Sequence, residues 1–275
     1  MASRIAVVTG SNKGIGFAIV RALCKEFDGY VYLTARDEER GKKAVEDLEK
    51  EGLHPKFHQL DITNQKSIDN LQKYLKDKYG GLDVLVNNAA IAYKKKDAAS
   101  FAEQAEVTIA CNFTGTLDVC KALLPLIKPH GRVVNLASFV GKRSLDGMRD
   151  DLSSKFKSPS LTEAELVSLL EEFVVAAKAG THTEIGYPNT AYGMSKVGVM
   201  ALTGVQARDL KNDPREDILI MACCPGHVDT DMSSHQGTKT PDEGAETPAY
   251  LALLPPNSNG FQGEMFQDKK LYQWR

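Results

Sequence analysis

Near its start the chain runs from a short apolar stretch, Ile5-Ala6-Val7-Val8, into Thr9-Gly10-Ser11-Asn12-Lys13-Gly14-Ile15-Gly16, and then into Phe17-Ala18-Ile19-Val20-Arg21-Ala22-Leu23 at helical spacing. Glycines at those points permit a tight strand-to-helix turn and close approach of backbone to whatever lies above it. A strand that leaves through such a turn feeds a crossover helix, so the next strand returns parallel to the first. The opening segment therefore directs the chain towards α/β architectures.

The remainder of the chain follows the same alternation. Apolar runs at 30–33, 56–60, 84–86, 132–136 and 218–222 read as strands, and the charged stretches at 40–51 and 64–79 carry the spacing of outer crossover helices. The expected fold is a doubly wound, mostly parallel sheet of Rossmann type, forming one domain over 1–275, since no Pro-, Gly- or Ser-rich linker and no repeat divides the chain. One interval breaks the rhythm. The stretch between Ser138 and Tyr192 is far longer than a strand-to-helix connection needs, and 139–191 reads as an insertion. Within it Thr162-Glu163-Ala164-Glu165 has the form of a capping box, followed by Leu166, Leu169, Leu170, Phe173 and Val174 on one helical face.

Composition excludes several functions. With 42% hydrophobic residues, a formal charge of −2 and a pI near 6.3, the 275-residue chain can fill a sizeable core but has no global field for nucleic acid or anionic lipid. Cys24, Cys111, Cys120, Cys223 and Cys224 show no metal or disulfide-framework spacing, so reduced thiols are expected, and vicinal Cys223-Cys224 reads as two small hydrophobes on a buried strand. No signal peptide or membrane-span run is evident. The expectation is a soluble cytoplasmic protein.

The glycine turn also carries chemistry. Its free N–H groups and the following helix N-terminus suit the pyrophosphate of a dinucleotide, with Gly10, Asn12, Lys13, Gly14, Ile15 and Gly16 around it. The end of the second strand selects the nucleotide. Arg36 stands roughly twenty positions past the last glycine, where an acid would bind a ribose diol and an arginine a 2′-phosphate. NADP(H) is therefore expected, with Lys13 a second cation for the same phosphate. The plain alternatives are a solvated strand end for Arg36 and a helix N-cap for Asp37. Further on, Ala191-Tyr192-Gly193-Met194-Ser195-Lys196 heads a helical pattern, which puts Tyr192 and Lys196 one turn apart on one face. A phenol is a poor acid at neutral pH, and a neighbouring ammonium is expected to lower its pKa.

Thr9-Gly10 with Gly14 and Gly16, Asp61 after the third strand, Asn87-Asn88-Ala89-Ala90 after the fourth, Asn112, Ser138, Tyr192 with Lys196, and Pro225-Gly226 together resemble the short-chain dehydrogenase/reductase family over nearly the whole chain. The insertion, Asn12-Lys13, Arg36 and the segments 80–86 and 251–256 are similar to its carbonyl reductase and 20β-hydroxysteroid dehydrogenase branch. The resemblance implies NADPH-dependent reduction of ketones, aldehydes or quinones. Ser138 would donate to the carbonyl oxygen, Tyr192 would deliver the proton, Lys196 would bind the nicotinamide ribose, and Asn112 would hold a water for proton resupply. It places Asp61 and Ile62 at the adenine, Asn88 near the adenosine ribose, and Val228 to Thr230 at the nicotinamide carboxamide. The substrate side would be formed by Tyr93, Lys94, Gln104 and His227 with Ser138 and Tyr192. A helix cap for Asp61 and a helix-bending role for Asn112 are the plain alternatives.

Some positions depart from the family pattern. Ala90 replaces a usual glycine, Ala137 a usual hydroxyl residue, His227 a usual tryptophan and Asp229 a residue that can be basic. Lys94 to Lys96 suggest a preference for anionic carbonyl substrates, including glutathione conjugates, against the blander reading of a solvated loop. Equal kcat/KM for neutral and anionic analogues before and after Lys95→Glu would remove that preference. An apolar insertion helix can cover the face through which family members tetramerise, so a monomer is expected. The competing functions are an NADP-dependent hydroxysteroid or prostaglandin dehydrogenase and a catalytically idle NADPH sensor.

Overall fold

The computed structural model describes residues 3–94 and 97–275. Its sheet has the order β3-β2-β1-β4-β5-β6-β7-β8, with β1 at Ile5–Val8, β2 at Tyr30–Ala35, β3 at Lys56–Gln59, β4 at Leu82–Asn87, β5 at Ile127–Leu136, β6 at Leu219–Cys224, β7 at Met265–Gln267 and β8 at Lys270–Leu271. All pairings are parallel except the last, β7 with β8. The expected strands are present. The short, partly polar pair β7 and β8 was not foreseen, because so few residues carry no readable period.

The strand order reverses between β1 and β4, which lie side by side with Val8 opposite Val86. Crevices at such switch points, beyond the carboxyl ends of the strands, are where doubly wound sheets bind ligands. Every residue of β1 is buried. This follows from cover on both faces: α1 (Gly14–Glu26), α2 (Glu38–Lys50) and α10 (Pro241–Ala252) contribute to one core, and α3 (Gln65–Tyr79) with α5 (Gly115–Leu123) to another. A continuous helical run from Phe101 to Leu126, comprising α4 (Phe101–Ile109), a π-turn, α5 and a 3-10 turn, has mean hydropathy 1.2 over its most apolar window. It is long and apolar enough to cross a membrane, contrary to the sequence expectation, yet that window is 61% buried inside the domain, as a core helix should be.

The insertion contains three helices where one was expected: α6 (Phe139–Asp146), α7 (Asp150–Lys157) and α8 (Glu163–Ala179). The capping box forms: Thr162 N donates to Glu165 Oε2 at 2.8 Å and Glu165 N donates to Thr162 Oγ1 at 3.2 Å. Leu166, Leu169, Leu170 and Phe173 are buried, whereas Val174 is only half-buried. Each fully buried aliphatic or aromatic side chain contributes about 1.5–3 kcal/mol, and this face is packed on α4 and on α9 (Ala191–Asp209).

Candidate active site

The glycine turn is held open by hydrogen bonds from both flanks. Ser11 N donates to Thr34 O at 2.8 Å and the Ser11 hydroxyl to Val8 O at 2.8 Å. Gly10 and Gly14 have φ of 60° and 59°, a region other residues enter at a cost. A Cβ on Gly16 would lie 2.4 Å from Asn88 Nδ2 and 2.7 Å from Gly10 O. Asn88 itself donates from Nδ2 to Thr9 O and Gly10 O, both at 2.9 Å. Both amide hydrogens are thus committed to the turn, so Asn88 shapes the cradle and does not offer that amide to a ribose. The N-cap of α1, Lys13, makes no side-chain bond to the helix, while Asp37, Asn64, Ser100, Ser138, Thr162, Thr190 and Thr240 each cap theirs. Among the described residues no side chain caps the first N–H groups of α1, which leaves them available at the turn for an anion.

Arg36 follows β2, exposed, and among the described residues its guanidinium has no ion-pair partner. Lys13 lies across the turn but is bound to Asp231 at 2.6 Å. An open cleft of about 610 Å³ beside the turn is lined by Asn12, Lys13, Phe17, Arg40 and Lys43 among others. Arg36 is outside that lining. Arg40 and Lys43 went unnoticed in the sequence, although the one-turn step from Arg36 to Arg40 was the available signal. Asp37 does cap α2, accepting from Arg40 N at 2.9 Å. Asp61 does not cap α3: its Oδ1 closes a local turn with Thr63 N at 2.9 Å, and Asn64 is the cap. Ile62 is buried, with its carbonyl against Gly115.

Above the turn, the 226–240 segment folds back. The Thr230 methyl would lie 3.4 Å from a Cβ on Gly14, and Val228 is buried in a bridge with Lys239. Val228 and Thr230 thus stand on the cradle's far wall. Beneath them Cys224 has a part that sequence reading missed. Its sulfur accepts from Phe139 N at 3.3 Å and from Gly226 N at 3.4 Å, tying the end of β6 to the residue after Ser138.

Ser138 follows β5 and caps α6, accepting from Val140 N at 3.1 Å. Tyr192 is the second residue of α9, and its phenol lies near enough to the Ser138 side chain for that hydroxyl to lower its pKa. Lys196 is buried one turn on, with Nζ 2.6 Å from Leu136 O and 5.6 Å from the Tyr192 ring centroid. The insertion thus returns the chain so that α9 sets Tyr192 against the end of β5.

The electrostatics differ from the sequence expectation. Burial pushes the Tyr192 phenol up to about 12, with Ser138 opposing, and lowers Lys196 to about 8. An ammonium aimed at a backbone carbonyl, and itself destabilised by burial, does not outweigh desolvation of the phenolate.

Asn112 takes its partners from the loop after β4 and from α9. It lies in the π-turn Ala110–Thr114 between α4 and α5, as the helix-bending alternative had it. Its Oδ1 accepts from Ile91 N at 2.8 Å, and its Nδ2 donates to Ile91 O at 2.9 Å and Ser195 Oγ at 3.0 Å. With both amide hydrogens engaged, the side chain clamps the loop after β4 onto α9.

The proposed substrate-side residues are less tightly organised. Gln104 Nε2 donates to Ala99 O at 2.9 Å, Lys94 N to Asp97 Oδ2 at 2.6 Å, and His227 is exposed while its carbonyl accepts from Thr238 and Lys239. Tyr93 is half-buried, and none of these four side chains is hydrogen-bonded to Ser138 or Tyr192 among the described residues. Lys95 and Lys96, the rest of the basic cluster, lie outside the described residues.

A nucleotide cradle at the switch point, facing a tyrosine and a serine across the ends of β5 and α9, is the layout of a dehydrogenase. The chain belongs to the short-chain dehydrogenase/reductase family: the sequence profile described as short chain dehydrogenase matches residues 4–172. It is 57% identical over 271 residues to carbonyl reductase (NADPH) 1 of Mus musculus, covering 98% of each chain. It is 54% identical over 271 residues, again 98% of each, to carbonyl reductase (NADPH) 1 of Homo sapiens. Among solved structures, salutaridine reductase from Papaver somniferum superposes with a TM-score of 0.85 at 30% identity, over 96% of this chain and 99% of that one.

Proposed function

We propose that this chain is an NADPH-dependent carbonyl reductase in which Tyr192 is the proton donor. The observation that carries the reading is the convergence of Tyr192, Ser138 and buried Lys196 on one site beside a cradle that fits a dinucleotide. The fit rests on the close approaches at Gly10 and Gly16, the N-terminus of α1, which no side chain caps among the described residues, and the exposed Arg36; the named NADPH dependence of the relatives agrees. When bound, NADPH supplies the hydride. Gly10 to Gly16 hold the pyrophosphate, and Arg36, aided by Lys13 and Arg40, the 2′-phosphate.

The protein's own residues then act on the carbonyl oxygen. Ser138 donates a hydrogen bond where negative charge develops, and the Tyr192 phenol, protonated throughout the neutral range because burial raises its pKa, hands over its proton. Lys196 holds a positive charge near the resulting phenolate, with two of its hydrogens left for a ribose after the one given to Leu136. Asn112 keeps α9 registered against the loop after β4. Phe139, directly after Ser138 and 36% exposed, provides an apolar face for the carbonyl compound, which favours aromatic or other apolar substrates.

We also read the chain as a monomer, since α8 covers α4 and α9 within one subunit. Its five cysteines carry free thiols, which suits a reducing compartment such as the cytoplasm. The decisive test is Tyr192→Phe assayed by NADPH oxidation with a quinone and an aromatic ketone. A loss of about 10²–10⁴-fold in kcat is expected, with NADPH still bound; unchanged turnover would overturn the assignment.

A further inference from the structure

Ser138 and Tyr192 stand on different helices, so neither helix alone sets the distance between them. Ser138 caps α6 and Tyr192 is the second residue of α9. These helices cross in close contact at glycines contributed from each side. At Gly193, next to Tyr192, a Cβ would lie 2.0 Å from Ser144 Oγ and 3.0 Å from Ser144 Cβ. At Gly141, on α6, a Cβ would lie 3.0 Å from both Cβ and the carbonyl carbon of Lys196 and 2.9 Å from Met200 Sδ. The Ser144 hydroxyl donates to Val140 O at 2.7 Å, so it is tied to its own helix and cannot swing clear without losing that bond.

We infer that the contact between Gly193 and Ser144 sets the spacing of Ser138 and Tyr192, which makes both positioning residues for carbonyl reduction. The inference rests on the reading of Ser138 and Tyr192 given above. Ordinary van der Waals contact for a Cβ begins at 3.4 Å, so a methyl at 193 against an oxygen at 2.0 Å forces α6 and α9 apart unless Ser144 yields. Displacements of roughly 1 Å in a reacting constellation cost about 100-fold in rate. The pyrophosphate cradle is built on β1, α1 and Asn88, none of which belongs to this crossing, and Lys196 is the one proposed nucleotide contact that does, so NADPH affinity is expected to change far less than kcat.

A methyl at 193 would also meet Thr190 Cγ2 at 2.7 Å, and Thr190 is the cap of α9, with Oγ1 accepting from Gly193 N at 3.1 Å. The two contacts can be separated by rescue. The experiment compares wild type, Gly193→Ala, Gly193→Ala/Ser144→Gly, Gly193→Ala/Thr190→Ser and Tyr192→Phe for kcat, KM, NADPH Kd by fluorescence, and Tm. Gly193→Ala is expected to lose about 10- to 100-fold in kcat with NADPH Kd within twofold. Ser144→Gly should restore most of that loss, and Thr190→Ser should not. Rescue by Thr190→Ser alone, or an unchanged kcat in Gly193→Ala, overturns the positioning role. If instead Tyr192→Phe turns over normally, the functional reading itself fails, whatever Gly193 does. Should Gly193→Ala not fold, Ser144→Cys enlarges the same contact from the α6 side. A several-fold fall in kcat then supports the inference, and an unchanged kcat overturns it.

Discussion

Replacing Arg36 separates nucleotide selection from everything else in the site. Among the described residues its guanidinium makes no ion pair, and the nearby bond from Gln59 Nε2 goes to the Arg36 carbonyl at 3.0 Å, which any residue retains. Arg36→Ala should therefore leave stability within about 0.5 kcal/mol of wild type, the usual range for an exposed position. A hydrogen bond to a charged group is worth about 1.5–3 kcal/mol, and each 1.4 kcal/mol is roughly tenfold in affinity. NADPH should accordingly bind roughly 10- to 100-fold more weakly, towards the lower figure because Arg36 is exposed and screened by solvent. NADH, lacking the 2′-phosphate, should change by less than twofold. Arg36→Asp should go further and improve NADH, a carboxylate there being suited to the ribose diol. Fluorescence titration of both nucleotides at one fixed ionic strength decides the matter. Equal weakening of NADPH and NADH, or no weakening of NADPH, would refute the assignment of Arg36.

Two further outcomes follow from Lys196 and the insertion. Because burial lowers Lys196 from 10.5 to about 8 while Tyr192 stays protonated up to about 12, the ammonium discharges first as pH rises. Reductive kcat/KM should fall above about pH 8, and Lys196→Met should be slow and flat from pH 7 to about 9.5; a limb that persists in that variant would assign it elsewhere. Light scattering should give a single species near 30.1 kDa, the mass of one chain, and a mass two or four times larger would show that α8 does not close the helical face.

Much of this protein was readable along the chain because the signals are local. The strand and helix periods, the glycine turn after β1, the capping box at Thr162 and the one-turn step from Tyr192 to Lys196 each lie within a few neighbouring residues, and each element formed where its pattern lay. Ser138, just past the fifth strand, and the insertion after it were legible by order and spacing. Boundaries were less so: β7 and β8 are too short to show a period, and α6 and α7 were hidden inside an insertion recognised only by its most apolar helix.

What the tertiary structure decided is which partner each polar group took. Asn88 faces the turn, Asn112 clamps Ile91 to Ser195, Lys13 is paired with Asp231, and Cys224 holds Phe139. Every one of these contacts joins residues far apart in sequence, and a side chain has only a few hydrogens to give, so its role depends on who is nearest in space. The same reason explains Tyr192. Its neighbour Lys196 was visible in the sequence, but the depth of burial that raises one pKa and lowers the other, and the helix crossing that sets Ser138 against it, exist only once the chain has folded.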